Sequence, residues 1–408
     1  MNVSELINNK INKSDFIQYK FSDFAENIVE KITPRESGLK HYIGLEHLDS
    51  GSLKINRFGD PQSLKGDKLK IYNGDIIFAK RNAYLKRASL AEFDAVASAH
   101  SMVLRAKPEI VLPEFLPFFM QSDSFWDVAI RISVGGLSPT INWKAMAKQE
   151  FLFPPKDQQA KIAELLWAMD DVVEKDLLCL KKITSLFSTS INQYFINGLN
   201  KENGNIIKTK CGLVDDRIKI TQLKNCLISN PKYGANSASR EYSPNSPRYI
   251  RITDIDDDGN LIDDDIVSIN TNEYHDYLLK NNDFLFARTG NTVGKTLLYK
   301  ESMGHCVFAG YLIKFRIDDK KLLPDLLFYF TKSLKYESFK RKMMKVGAQP
   351  NINSQEYQSM FIPLFDIKTQ SIIVNNLNKI NQNIDLAKYK IKQSKQLQKS
   401  LINEIFSS

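Results

Sequence analysis

Apolar and polar residues follow two different periods along this chain, and the two periods succeed each other twice. Short apolar runs bounded by Gly, Pro and Asn, such as His41–Leu48 and Asp75–Ala79, indicate strands joined by turns. Each series of runs gives way, after a proline, to a long segment with apolar residues every three or four positions. The pattern predicts a mixed α/β part followed by a long helix, in two copies.

The two copies can be aligned directly. The segment from Tyr42 to Asp49 returns as Tyr249 to Asp256, an offset of 249 − 42 = 207 residues, and Asp75 to Lys80 returns as Asp283 to Arg288. Solenoid repeats have much shorter periods, of about 20–50 residues. The sequence is therefore a duplication of a whole unit, and it presents two similar but unequal faces.

Both helical segments carry apolar residues at a seven-residue spacing, with steps that alternate between three and four. Such a spacing predicts that the helices pair as a coiled coil, and the alternative is an amphipathic helix packed on its own domain. Polar members of the repeat can fix its register at a cost in stability. These seam residues are Ile162, Leu166, Met169, Val173, Asp176, Leu180, Ile183, Phe187, Ser190 and Tyr194 in copy one, and Ile373, Leu377, Ile380, Ile384, Ala387, Ile391, Ser394, Gln398, Leu401 and Ile405 in copy two.

Composition narrows the class of protein. At 408 residues the chain has room for two or more domains, and its net charge of +9 is the surplus expected of a nucleic-acid binder. The four cysteines lack the Cys-x-x-Cys spacing of a zinc site and indicate free thiols in a reducing compartment. Neither a membrane-length apolar run nor a signal-peptide core is present in the sequence, so we expect a cytoplasmic protein.

One glycine-rich segment imitates a phosphate-binding loop. Gly290 to Thr296 has three residues between its glycines, where the nucleotide-binding loop needs four. The spacing argues against nucleotide hydrolysis. Flanked by Arg288 and Lys295, the same small and polar residues better suit contact with a nucleic acid.

Other apparent motifs are also incomplete. Asp254 to Gly259, with Asp265, has the spacing of a calcium loop, but a β-type run precedes it where that loop needs a helix. Asn230 to Tyr233 differs at its third position from the signature of enzymes that methylate amino groups, and no glycine-rich cofactor loop accompanies it. The five histidines show no metal-ligand spacing. We therefore expect an acidic turn, no bound cofactor or metal, and no catalytic site in this chain.

The junction before each helix carries a resemblance to a known family. Val134 to Asn142 and Val346 to Asn353 are small-residue loops ending in Ile-Asn, and each is followed by an apolar strand, a proline and a glutamine, Gln159 or Gln370. This ordered set, present twice, resembles the specificity (S) subunits of type I restriction–modification systems. The resemblance covers nearly the whole chain.

The resemblance implies an α+β fold in which two pseudo-repeated α/β target recognition domains are joined by two long helices that form an antiparallel coiled coil. We call the recognition domains the first and second heads. The implied segments are the first head at residues 1–154, a conserved spacer helix at 155–198, a linker at 199–216, the second head at 217–363 and a second spacer helix at 364–408.

The resemblance also implies a function and partners. Each head would read one half of a split, asymmetric double-stranded DNA site, and the coiled coil would set the gap and dock two methyltransferase (M) subunits. Restriction (R) subunits would join the complex. The cofactors, S-adenosylmethionine and ATP, would bind those partners and not this chain, which would itself be non-catalytic.

The basic and polar residues after two matched strands are the candidates for DNA contact, because lysine and arginine neutralise phosphates and read guanine edges. The alternative is that they are ordinary solvated charges. The candidates are Lys80, Arg81, Lys86 and Arg87 in the first head, and Arg288, Thr289, Asn291, Thr292 and Lys295 in the second.

Three other functions fit parts of the pattern. The chain could be the specificity component of a type II restriction–modification enzyme. The identity of the neighbouring genes would distinguish this alternative from a type I system. A stand-alone DNA-binding regulator would bind tightly without partners. A purely structural coiled-coil scaffold would show no salt-dependent DNA binding, and it leaves the two elaborate heads unexplained.

Overall fold

The computed structural model describes residues 13–199, 204–344 and 350–407. The first residues of the predicted first head, linker residues 200–203, junction residues 346–349 and Ser408 lie outside the described part. The chain divides into two compact units. The first unit comprises Met1–Leu178 and Lys388–Ser408, and the second comprises Cys179–Ala387.

The first unit contains the first head and one end of each long helix. Its strands are β1 (Ile17–Lys20), β2 (Ala25–Ile28), β3 (Lys31–Ile32), β4 (Tyr42–Ile43), β5 (Lys68–Ile71), β6 (Ile76–Ala79), β7 (Ala88–Leu90), β8 (Ala95–Ala97), β9 (Ser101–Ala106) and β10 (Glu150–Phe153). Its helices are α1 (Phe21–Phe24), α2 (Leu116–Phe119), α3 (Asp123–Arg131), α4 (Trp143–Met146) and the start of α5 (Lys156–Asn197).

Two four-stranded sheets form the body of the first head. One has the order β2-β9-β6-β7 and is antiparallel throughout. The other has the order β3-β5-β8-β4, in which β4 and β8 are parallel. A separate pair, β1 with β10, joins the start of the head to the strand just before α5. This pair places the first turn of α5 at the edge of the head.

The second unit contains the second head and the other helix ends. Its strands are β11 (Ile206–Thr209), β12 (Gly212–Asp215), β13 (Lys219–Gln222), β14 (Lys232–Tyr233), β15 (Ser239–Glu241), β16 (Arg248–Ile250), β17 (Val267–Ile269), β18 (Asp283–Ala287), β19 (Thr296–Leu298), β20 (Cys306–Phe308), β21 (Leu312–Arg316) and β22 (Phe361–Leu364). Its helices are α6 (Pro324–Phe330), α7 (Leu334–Met343), α8 (Ser354–Gln358) and the start of α9 (Ile367–Phe406).

The sheets of the second head repeat those of the first with one change. The sheet β14-β21-β18-β19 and the pair β13-β22 correspond to β2-β9-β6-β7 and to β1-β10. In the remaining sheet the parallel pair returns as β16 with β20, but the order is β15-β17-β16-β20. In the second head β17 and β15 are therefore added beside β16, whereas in the first head β5 and β3 are added beside β8.

Each core is completed by the far end of a helix from the other copy. In the first unit, Leu401, Ile402, Ile405 and Phe406 of α9 belong to the same buried cluster as the aromatic residues of the first head. In the second unit, α5 supplies Phe187, Ile191 and Phe195 to the core of the second head. Burial of these apolar side chains makes each head depend on both helices.

The helices are antiparallel within each unit. In the first unit, the amide of Gln398 in α9 donates to the carbonyl of Leu166 in α5 at 3.3 Å. In the second, the amide of Asn376 in α9 donates to the hydroxyl of Tyr194 in α5 at 3.1 Å. All the seam residues are buried or half-buried. The predicted α+β class, with two mixed heads and an antiparallel coiled coil, is confirmed.

A buried glutamine anchors the start of each long helix. Gln159 accepts from the amide of Leu112 at 2.9 Å and donates to the carbonyls of Ile110 and Pro154, both at 2.9 Å. Gln370 does the same in the second head, where it accepts from Leu323 and donates to two carbonyls. Each side chain satisfies backbone groups that burial would otherwise leave unpaired.

The proline markers differ between the two helices. Pro155 directly precedes α5, as the pattern predicts, whereas Pro363 lies inside β22 and α9 begins only at Ile367. Proline is found mainly on edge strands, and β22 is an edge strand of the two-stranded sheet that it forms with β13. Among the described helices, none combines the length and the apolar character needed to cross a membrane.

Candidate nucleic-acid interface

The candidate residues begin where one inner strand of each antiparallel four-stranded sheet ends. Strands β6 and β18 end at Ala79 and Ala287, so Lys80 and Arg288 occupy matched positions. The next residue pairs with the junction segment in both heads, Arg81 with Thr140 and Thr289 with Asn351. The junction recognised in the sequence therefore holds the strand end in place.

In the first head the strand end is electropositive. The ammonium group of Lys80 donates to the carbonyl of Ala99 at 2.9 Å, and burial, together with the charge of Arg81, lowers its pKa. Burial and the charges of Arg81, Lys80 and Lys68 likewise lower the pKa of His100. Arg81 is exposed. Arg81 therefore presents an exposed guanidinium beside other positively charged side chains.

Lys86 and Arg87 are engaged within the first head. Lys86 lies in the left-handed region, with a φ of 47°, and its ammonium group is 2.9 Å from the Asp123 carboxylate. Arg87 donates to the carbonyl of Leu45 at 3.0 Å. Contact of either residue with DNA would have to compete with these internal bonds. In this respect Lys86 and Arg87 differ from the exposed Arg81.

In the second head the glycine-rich loop forms a single turn of 3-10 helix, Gly290–Thr292. The hydroxyl of Thr292 donates back to the carbonyl of Thr289 at 3.1 Å, and Asn291 is exposed. The hydroxyl is therefore used to close the turn.

Lys295 is bound by residues of the acidic segment that follows β16. Its ammonium group donates to the carbonyl of Ile255 at 3.1 Å and lies 3.0 Å from the carboxylate of Asp257. In a phosphate-binding loop the lysine reaches the phosphates. The arrangement therefore favours the interpretation that this segment is not a nucleotide site.

The acidic segment follows a strand, β16, as expected of an acidic turn. The guanidinium of Arg251 donates to the carboxylates of Asp254, at 2.8 Å, and Asp265, at 3.2 Å. Asp256 accepts from the amide of Asn260 at 2.7 Å. These carboxylates stabilise the turn, and in the described part of the chain no group of three or more metal-ligating side chains converges.

Arg288 has a different environment from the other candidates. Its guanidinium carbon lies 5.0 Å from the ring centre of Tyr233 and 5.9 Å from that of Tyr311. Burial raises the pKa of the Tyr233 phenol, but hydrogen bonds from Ser354, together with the charge of Arg288 and a hydrogen bond from its side chain, outweigh this effect, and the pKa lies below its usual value. The two tyrosines and the arginine form the wall of a cleft.

The tyrosines are the residues that the sequence does not point to. Tyr233 belongs to the Asn-Pro-Lys-Tyr motif, which suggests methyl transfer more readily than a structural role. It also lies in the stretch from Ser229 to Pro247, whose composition predicts a mobile loop. That stretch contains strands β14 and β15, and the pairing of β14 with β21 brings Tyr233 to Arg288. The ring contact is long-range, so only the aromatic character of the motif could have suggested it.

Comparison with known proteins decides the family. The model of the type I restriction modification DNA specificity domain matches this chain twice, over residues 6–184 and 218–396. The chain belongs to this family. The resemblance drawn from the two junctions is thereby confirmed, and each match covers nearly all of one head and most of the helix that follows it.

Curated relatives agree with the family model over part of the chain. The specificity subunit of the type I restriction enzyme HindI from Haemophilus influenzae is 24% identical over 195 residues, covering 45% of this chain and 41% of that protein. The corresponding subunit of the enzyme EcoDI from Escherichia coli is 30% identical over 163 residues, covering 39% and 36%. The alignments thus span less than half the length of these relatives.

Solved structures show the same fold over nearly the full length. The S subunit of a type I restriction–modification system from M. genitalium superposes with a TM-score of 0.61 at 14% identity, covering 98% of both chains. A chain from a study of complex assembly and conformational transition in a type I system gives 0.59 at 18% identity, covering 97% and 98%. At these identities the similarity establishes the fold.

Proposed function

We propose that the chain is the non-catalytic DNA-reading subunit of a type I restriction–modification complex, and that its two heads recognise the two halves of a split, asymmetric site. The observation that carries the proposal is the double match to a DNA specificity domain, one match for each head. Two heads of common origin and different surface suit a site whose halves differ, just as equal subunits suit a palindrome.

The strand ends support the assignment of the DNA-facing surface. Arg81 in the first head is exposed among neighbouring cations, and Arg288 in the second lies in an open cleft. Basic side chains of this kind neutralise phosphates or read base edges. Lys86, Arg87 and Lys295 act in this proposal as internal supports, because each is bound to a carboxylate or a carbonyl of the same head.

The long helices support the proposed partners. Beside the buried seam they expose apolar side chains, Leu165 and Val172 on α5 of the first unit and Ile372 and Leu386 on α9 of the second. Exposed aliphatic residues on a helix are more often solvated than functional, but a series of them suits contact with another protein. We assign this surface to two methyltransferase (M) subunits, to which restriction (R) subunits are added.

The proposal places the chemistry on those partners. S-adenosylmethionine would bind the M subunits and ATP the R subunits, while this chain would choose the site. Target choice by one chain and methylation by another requires that the modified sequence changes when this chain changes.

The decisive experiment is sequencing of methylated adenines in a host that carries the genes for this chain and its M partner. We expect a split motif with two different half-sites and a fixed gap, and we expect it to disappear when this chain is deleted. A continuous motif, or methylation that persists after the deletion, would contradict the proposal.

A binding measurement tests the surface assignment in the purified complex. Arg81→Ala should weaken DNA binding and reduce the slope of log affinity against log salt concentration by about one phosphate contact. Lys86→Ala is the matched control, because its ammonium group is already bound to Asp123. Equal loss of affinity in both variants would contradict the distinction between free and internally paired charges.

A further inference from the structure

The cleft beside Arg288 has features that a general phosphate contact does not require. Its volume is about 730 Å³, and its walls include the two tyrosines, the neutral side chains of Asn236 and Thr253, and backbone at Gly234 and Gly310. Both tyrosine rings are partly open to solvent, Tyr233 at 41% and Tyr311 at 56% exposure. A ligand with a flat polar edge can therefore reach the guanidinium from outside.

The guanidinium of Arg288 is not neutralised. Across residues 13–199, 204–344 and 350–407, no carboxylate forms an ion pair with it, and its side-chain partner is the neutral hydroxyl of Tyr233. Arg251, which lines the same cleft, is held by Asp254 and Asp265. A guanidinium that no carboxylate neutralises can donate to a ligand in the cleft that it lines, so the difference between the two arginines points to an acceptor supplied by a ligand at Arg288.

Arg288 is also held in position before any ligand arrives. Its amide donates to the carbonyl of Tyr311 at 3.0 Å, and its carbonyl accepts from the amide of Ile352 at 2.8 Å. The hydroxyl of Tyr233 accepts from the amide of Ser354 at 3.3 Å, which fixes that ring. A planar guanidinium beside a fixed ring keeps its fork of donors close to one orientation, and less entropy is lost when it binds.

We propose that Arg288 is a specificity-determining residue of the second head, and that its guanidinium donates to O6 and N7 of a guanine in the major groove. This inference rests on the function proposed above and names one base of the second half-site. Guanine presents two acceptors side by side, whereas adenine presents a donor in place of O6 and the pyrimidines lack N7. An oriented fork suits this edge, while phosphate contact does not require one.

The first test compares methylated motifs. With the wild-type chain the second half-site should contain a guanine, and with Arg288→Gln that position should lose roughly 10- to 100-fold of its preference for guanine. The first half-site and the gap should stay the same. Arg341→Gln, which removes an exposed arginine of the same head, is the matched control and should leave the motif unchanged.

The second test uses the wild-type complex, so it does not depend on the folding of a variant. Duplexes carry 7-deazaguanine, which lacks N7, or hypoxanthine, which keeps both major-groove acceptors, at the assigned position. We expect the first substitution to weaken binding about tenfold or more and the second to have little effect. The Arg288→Gln complex should no longer distinguish 7-deazaguanine from guanine.

Three outcomes would overturn the inference. A second half-site without guanine would do so, and so would an Arg288→Gln variant that binds all sequences more weakly, with a smaller salt slope and an unchanged motif, because that is the signature of a phosphate contact. In both cases a split motif from the wild-type chain would leave the proposed function intact. Absence of any split motif from the wild-type chain would overturn both.

Discussion

The two heads are alike where they meet the helices and unlike where their strands end. Gln159 and Gln370 make the same three hydrogen bonds, and the buried carboxylates Asp75 and Asp283 each pair with an arginine of the neighbouring strand. The N-terminus of α3 receives a side chain of α9, and the N-terminus of α7 receives the equivalent side chain of α5. The glutamines and the helix-capping side chains fix a helix to a head, and the ion pairs join neighbouring strands within each head.

The differences are concentrated at matched surface positions. The ammonium group of Lys80 in the first head donates to the carbonyl of Ala99, whereas the guanidinium of Arg288 in the second head lies beside two tyrosine rings. By strand register, His100 occupies the position of Tyr311. In the sheet that contains the parallel pair, the further strands are added beside β8 in one head and beside β16 in the other.

This comparison separates two kinds of constraint. Contacts that hold a helix on a head bury apolar and hydrogen-bonding groups, and a change there costs stability in either copy. Surface residues can change without such a cost, so two heads that began alike can come to bind different sequences. Equal losses of stability on matched substitutions would show that the shared contacts are energetically equal as well as geometrically alike.

The largest effect is expected for the aromatic residue near the end of each helix. The ring centre of Phe406 lies 5.3 Å from that of Phe119 and 5.4 Å from that of Phe115. The ring centre of the equivalent Phe195 lies 5.2 Å from that of Phe330. Replacement of either phenylalanine by alanine should lower the free energy of unfolding of its unit by about 3–5 kcal/mol. Hydrogen exchange should locate the loss in the first unit for Phe406→Ala and in the second for Phe195→Ala.

The exposed leucines of the same helices are the matched controls for this pair. Leu397→Ala and Leu186→Ala remove side chains that are 45% and 56% exposed, and each should cost less than about 1 kcal/mol. If Phe406→Ala destabilised the chain no more than Leu397→Ala, the end of α9 would not belong to the core of the first head.

A smaller effect is expected for the anchoring glutamines. Gln159 and Gln370 are 1% and 0% exposed, and replacement by leucine leaves buried backbone groups without partners, at a cost of about 2–4 kcal/mol in each copy. All three tryptophans, Trp126, Trp143 and Trp167, belong to the first unit, so fluorescence during urea unfolding reports on that unit alone.

Gln159→Leu should therefore shift the fluorescence midpoint, while Gln370→Leu should shift the circular dichroism signal and leave the fluorescence midpoint in place. Gln396→Leu, on the exposed face of α9, is the control and should change neither signal appreciably. Unequal losses for the two anchoring glutamines would show that the copies have diverged in their cores as well as on their surfaces.

The smallest effect is expected for the asparagines of the long helices whose side chains cap the N-terminus of a short helix in a head. Asn403 accepts from the amide of Asp123 at 2.9 Å, and Asn192 accepts from the amide of Leu334 at 2.9 Å. Each alanine variant should lose about 1 kcal/mol, the usual cost of a lost helix cap. Asn403→Ala should lose slightly more, because Asn403 also donates to the carboxylate of Asp123 at 2.6 Å. Thermal unfolding that ranks Asn192→Ala as the more harmful change would contradict this reading.

Much of the architecture follows from local patterns. The duplication, the seven-residue seam and the strand-end positions of Lys80 and Arg288 could all be read from the order of the residues, because helix and strand periods are properties of neighbouring positions. The opening glutamines could be noticed because they occur twice at the same place. Their hydrogen bonds to distant carbonyls could not be foreseen from their spacing.

The sequence by itself determined that there are two heads and two long helices, and which face of each helix is buried. The tertiary structure decided which head each helix end completes, since an apolar period does not specify its partner and Phe195 and Phe406 find theirs far away in the chain. It also decided the surroundings of the candidate cations: Lys86 and Lys295 pair with carboxylates of their own head, whereas Arg288 lies beside two aromatic rings and has no such carboxylate among the described residues. Such pairings depend on contacts between distant segments, which the local order of residues does not encode.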